Sequence, residues 1–309
     1  MTDQQRRVRR RGPAWVRLAQ GVHRPAEASD VFLTDLHAWA ERLPDGAVFT
    51  GLTAARLRGL WVPPMPADLP LFVAVPRSAT HSKRAQVVVS RETPSPRSEL
   101  VDGLRVAPVP ATLLACARDL GTLDLVVLVD SALHLGLCTV ADLRAVAAPR
   151  RKGAPRLRRA IDHADARSES PYETLLRLLH LACDVPVEPQ PELHDDTGVF
   201  LGRADLRIRG TTTLQEYDGA DHLERSRYRR DRRRDSRLAG AGYVRHGYVA
   251  EEVLAKAIGI IRNAEAALGL PHDPRRVRPW HALVRASLFS EAGTAAFGRR
   301  LGRTKQRAA

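Results

Sequence analysis

The chain has 309 residues, of which 44% are hydrophobic and 27% charged, with a formal net charge of +14. That length exceeds what a single core usually organises, so two domains, or one with large additions, are expected. The longest clean apolar run, Leu125 to Val129, is five residues, against the roughly 20 that cross a bilayer; no membrane partner is expected. The basic start lacks the apolar stretch of a secretory signal, and a cytoplasmic protein is expected.

Five arginines and one aspartate within residues 1–12 form the first of three basic clusters. Gly12 to Pro25 then reads as a short ribbon turning at Gly21, too short to fold alone. Ala47 to Leu60 has helical spacing through Leu52, Ala55 and Leu60, and the prolines after Trp61 end it. Apolar strands are expected at Leu71 to Val75, Gln86 to Ser90 and Leu104 to Val109. Helices are expected near Ala111 to Leu120, Leu125 to Leu135, Val140 to Ala147 and Arg156 to Ala166. Cys116, Cys138 and Cys183 lie in apolar surroundings without metal-ligand spacing, as reduced buried thiols do. This middle block is α+β and carries no catalytic constellation.

At Arg167 the character changes. Ser170 reads as the N-cap, Pro171 as the first helical position and Glu173 as the capping-box acid of a helix burying Leu175, Leu178, Leu179 and Ala182. Two strands follow, 199–210 and 211–219, joined by a hairpin turn at Gly210-Thr211. The segment 224–237 holds eight arginines and three acids; Leu223 to Ala241 is expected to be helical, with i, i+4 pairs supporting it. A strand at 242–249 and an amphipathic helix at 251–268 complete the block. The tail from Pro271, with eight arginines and one lysine against two acids, is expected to be partly disordered. The excess charge sits almost wholly in the three clusters, which favours an anionic partner, most simply duplex DNA. Codon bias accounts for arginine over lysine, though not for the clustering.

The hairpin turn sets a register in which Asp205 lies across from Glu216 and Asp218 across from Arg203, all on one face. Two carboxylates about 5 Å apart repel by roughly 3 kcal/mol at an effective dielectric of 20. A cation between them relieves this, and hard oxygen donors suit Mg²⁺ or Mn²⁺. The same residues also read as a solvated hairpin face with Asp218-Gly219 as a turn. His222 could orient or deprotonate a water, or satisfy a turn carbonyl. Glu169 could join Glu173 or remain solvated. Arg225, Arg229, Arg230, Arg232, Arg233 and Arg234 could contact phosphate or pair with Glu224, Asp231 and Asp235.

The succession of S-x-x-E (Ser170, Glu173), G-R-A-D (Gly202 to Asp205) and Q-E-Y-D-G-x-x-H (Gln215 to His222), then an Arg-rich helix and a strand, resembles the DUF559 group of endonuclease-like domains. These are relatives of the very-short-patch repair endonucleases in the PD-(D/E)xK superfamily. The resemblance implies a restriction-endonuclease-like core, a mixed sheet flanked by helices, over residues 167–268. It implies metal ligation by Asp205, Glu216 and Glu173, with Asp218 standing where the superfamily usually has a lysine; from the residues themselves Asp218 and His222 are added to the candidate catalytic set with Glu173, Asp205 and Glu216. Upstream, WVRLAQGVHRP, AVFTGLTAARLRGL and DGLRVAPVPATLL are similar to AbiEi-like antitoxin proteins. That similarity makes residues 1–25 a basic arm and winged-helix remnant and 26–166 an α+β region, leaving 269–309 as a basic tail. The implied function is a metal-dependent DNA endonuclease or nickase; the alternative is a non-catalytic DNA-binding regulator of antitoxin type.

Overall fold

The computed structural model describes residues 14–80, 84, 86–219 and 234–307, with side chains to residue 302. The chain forms two compact units. One comprises the chain up to Leu60, Pro66–Cys116 and the chain from Arg299; the other comprises Trp61–Met65 and Ala117–Gly298.

In the first unit, Trp15–Ala19 (β1) and Val22–Pro25 (β2) make the expected ribbon, with Gly21 supplying the positive φ of its turn. The ribbon is short, but Val22 is buried in one cluster with Leu36 and Trp39 of a helix at Val31–Ala40 (α1). That helix starts where the Asp30 side chain accepts from the Leu33 amide. The helix expected from Ala47 begins only at Gly51–Leu57 (α2). Val48–Phe49 (β3) is instead a fully buried strand, antiparallel to Leu71–Pro76 (β4) and parallel to Leu104–Val106 (β7). With Val87–Glu92 (β5) and Glu99–Val101 (β6) these make a five-stranded mixed sheet in the order β5-β4-β3-β7-β6. Val109–Cys116 (α3) follows the sheet.

The second unit opens with Thr122–His134 (α4), Val140–Ala147 (α5) and Ala154–Asp162 (α6), then Pro171–Ala182 (α7). The boundary expected between residues 166 and 167 does not divide the compact units, for an electrostatic reason. Asp130 on α4 is fully buried and accepts from Arg177 at 2.6 Å and Thr174 at 2.8 Å, both on α7, and from the Asp165 amide at 2.8 Å. A buried carboxylate is tolerated only when paired and hydrogen-bonded in this way, so α4 and α7 belong to one packing unit.

The sheet of this unit contains Val187–Pro189 (β8), Leu206–Ile208 (β11), Thr213–Tyr217 (β12) and Val244–Tyr248 (β13), in the order β13-β12-β11-β8. Glu192–His194 (β9) and Phe200–Arg203 (β10) form a separate two-stranded ribbon. Leu206 pairs with Gln215 and Arg207 with Leu214, the register expected from a turn at Gly210-Thr211. The strand expected at 199–210 is broken, however: Gly202 takes a φ of 146° and Arg203 pairs with Glu192 across the ribbon. Arg203 therefore does not lie opposite Asp218. β13 runs parallel to β12, aligning Glu216 with Gly247.

A helical segment at 234–240 agrees with that end of the expected arginine helix; the rest of it lies outside the described residues. The next helix is broken at Lys256 into Ala250–Ala255 (α8) and Ala257–Ala267 (α9). The basic tail is structured, contrary to its composition, as Arg278–Arg285 (α10) and Glu291–Arg307 (α11). Trp280 is fully buried and donates its indole N–H to the Val253 carbonyl at 2.9 Å, and Phe297 is buried as well. Each such anchor is worth several kcal/mol, which outweighs the arginine-rich face around it. No helix among the described residues is long and apolar enough to cross a membrane.

Candidate functional site

Three elements bring the acidic residues together. α7 presents Glu173 from its first turn. Ser170 caps the helix by accepting from the Glu173 amide at 3.2 Å, as its spacing requires. The Glu173 carboxylate reaches back one residue further than a capping box does: its Oε2 accepts from the Glu169 amide at 2.8 Å and from Gln190 Nε2 at 3.1 Å. Asp205 stands just ahead of β11, where its Oδ2 accepts from the Tyr217 amide at 2.8 Å. Glu216 lies on β12 and is buried, and Asp218 follows two residues later on the same face.

The electrostatics are strained. Burial, then the charge of Glu173 and further that of Glu216, push the Asp205 carboxyl up to about 7, against the relief given by the Tyr217 amide and Arg234. Burial also raises Glu173, against the bonds from the Glu169 amide, the Ser170 side chain and Gln190, with the charge of Glu169 adding to the rise. The Glu173 carboxylate thus has these three partners, whereas among the described residues Asp205 is held through Oδ2 alone.

Glu216 is placed differently. Arg234 donates to its Oε1 at 2.7 Å and to its Oε2 at 3.3 Å, while Arg245 Nε donates to Oε2. Arg245 also donates to Asp218 Oδ1 at 2.7 Å and approaches Asp235 at 3.8 Å. Glu169 is exposed and pairs with Arg203 at 2.6 Å, so it does not join Glu173. Six carboxyl groups (Glu169, Glu173, Asp205, Glu216, Asp218, Asp235) thus meet three arginines (Arg203, Arg234, Arg245).

Among the described residues no three acidic, histidine or cysteine side chains are already gathered as a coordination sphere. The donor set nevertheless suits a hard divalent cation, being all oxygen and placing the charges of Glu173 and Glu216 on the buried Asp205 carboxyl. At Glu216 an incoming cation would have to displace a guanidinium.

The opposite face of β12 is closed. Tyr217 stacks on Tyr172 of α7 with ring centroids 4.6 Å apart, and Phe289 meets Tyr172 edge-on. Gln215 and His180 are fully buried there; burial holds His180 down to about 4, leaving a neutral imidazole that donates Nδ1–H to the Leu176 carbonyl.

The structure sets Asp205 beside Glu173 and Glu216 and links Glu216 to Asp218 through Arg245. Arg234, expected beside phosphate, is engaged with Glu216 and with the Arg203 carbonyl. His222, Arg225, Arg229, Arg230, Arg232 and Arg233 lie outside the described residues. Arg245 is the residue that sequence reasoning missed; its only signal was a lone arginine in the strand V-R-H-G-Y. No known protein family, curated protein or solved structure matches the chain.

Proposed function

We propose that residues 167–268 form a divalent-metal-dependent phosphodiesterase site acting on duplex DNA, as an endonuclease or nickase on a restriction-endonuclease-like core. The observation that carries this reading is the approach of Glu173, from a helix, and Glu216, from a strand, to the buried Asp205 carboxyl, which burial and their charges push up to about 7, with Asp218 on the same strand face as Glu216. Mg²⁺ or Mn²⁺ would be held by Asp205, Glu173 and Glu216, and when bound would supply a more acidic water and charge neutralisation at the phosphate. Asp218 and His222 complete the proposed catalytic set. Phosphate contacts, which position DNA without reading bases, come from among Arg225, Arg229, Arg230, Arg232 and Arg233, Arg234 being engaged with Glu216. In this reading the β1–β2 ribbon is a winged-helix remnant.

A second reading is favoured by one observation. Both oxygens of Glu216 are bonded to arginines, as in an ion-pair lattice that has lost its cation, and this suits a non-catalytic DNA-binding regulator. Plasmid nicking with Mg²⁺ and Mn²⁺ separates the two. The nuclease reading expects metal-dependent nicking that falls at least ~100-fold in Glu216→Ala and Asp205→Ala, the scale of losing one preorganised group. DNA binding indifferent to metal, with no nicking by the wild type, supports the regulator.

A further inference from the structure

We propose that Arg245 is the positioning residue of this site, the group that sets Glu216 and Asp218 in one arrangement for a divalent cation; the proposal rests on the carboxylate-cation reading above. Glu216 and Asp218 are two residues apart on β12 and share a face, so their charges oppose each other along the strand. Arg245 enters from the neighbouring parallel strand, where its backbone pairs with Leu214, and its side chain reaches up the strand to both acids. Nε donates to Glu216, Nη2 to Asp218 at 2.7 Å, and Nη1 lies 3.8 Å from Asp235. A planar guanidinium can hold three such groups at fixed angles, whereas an ammonium is a point charge with no such fork.

Asp218 is fixed from its other side too. A Cβ built on Gly247 would stand 1.8 Å from Asp218 Oδ2, so the carboxylate lies against bare backbone of β13. Arg234 plays a different part. It comes from the helical segment 234–240, is shared with the Arg203 carbonyl, and straddles Glu216, at 2.7 Å from Oε1 and 3.3 Å from the Oε2 that Arg245 also holds, without a bond to Asp218 among the described residues. Arg234 therefore competes with a cation for Glu216, while Arg245 aims the carboxylates.

The two roles predict opposite signs. Removing either arginine removes a positive charge and by Coulomb's law alone would tighten cation binding. If Arg245 positions the acids, its loss weakens binding instead. The experiment is Mn²⁺ titration calorimetry on the full chain, with thermal unfolding of each variant to verify folding. Arg245→Ala is expected to bind Mn²⁺ at least ~10-fold more weakly, Arg245→Lys to recover part of the loss by keeping the charge, and Arg234→Ala to bind several-fold more tightly. Arg245→Gln, of similar length, replaces the alanine variant if that one does not fold. Wild-type binding with Arg245→Ala or Arg245→Gln equally tight or tighter overturns this proposal and leaves the metal site standing. A wild type that takes up no Mn²⁺ overturns both.

Discussion

Asp205 is one carboxyl whose surroundings work against its own charge. It titrates near 7 in the folded chain and near 3.9 when unfolded. Between those values the folded state holds a proton that the unfolded state has released. The stabilisation is therefore complete below about pH 4 and is lost as pH rises to 7, with a limiting slope of about 1.4 kcal/mol per pH unit. Asp205→Asn should remove that slope and be the more stable protein at pH 8. Urea unfolding from pH 5 to 8 measures it, and parallel curves for the two proteins would refute the account. A bound cation acts in the other sense, since it favours the ionised form; Mn²⁺ should stabilise the wild type more at pH 8 than at pH 5, and Asp205→Asn at neither.

At the scale of elements, the site is a property of how β12 and β13 lie side by side. Gly247→Ala should drive Asp218 off Arg245, because the new methyl group and the carboxylate oxygen claim one position. A cost of about 1–3 kcal/mol is expected, as for overpacking. Asp218→Ala introduced alongside should relieve much of it; strict additivity in that double-mutant cycle would falsify the clash.

The β11–β12 register was legible because Gly210 sets a tight turn, and a turn fixes which residues face each other. The cap at Ser170 was legible because it is local. Arg245 was not, because its partners Glu216 and Asp218 lie 29 and 27 residues away across a parallel pairing that no turn specifies. The break between β10 and β11 was equally hidden: Gly202 reads as any strand glycine until the competing partner β9 is known. β3 was assigned to a helix because Val48-Phe49 is too short to show a period, and only its two sheet neighbours decide it.

At the scale of the molecule, composition misled most in the tail. Arg275, Arg278, Arg285 and Arg299 are exposed, whereas Val277, Trp280, Val284, Leu288 and Phe297 are buried. Trp280→Ala should cost about 3–5 kcal/mol. Removing residues 271–309 should abolish the cooperative unfolding transition of the second unit; an unchanged thermal transition in that truncation would show that α10 and α11 are ornamental. The same anchoring appears in one hydrogen bond of α4. Asp124 is buried, receives the Gly121 amide at the start of its own helix, and also accepts the amide of Leu288 at 2.9 Å, 164 residues later. At 5–20 residues per second a ribosome needs on the order of 10 to 30 s to make that stretch. Over that interval α4 exists without the Leu288 amide that Asp124 accepts in the finished protein. The second unit should therefore be completed only near the end of synthesis or after release, and nascent chains stalled before Leu288 should be cut by protease within α4, where the finished protein is not.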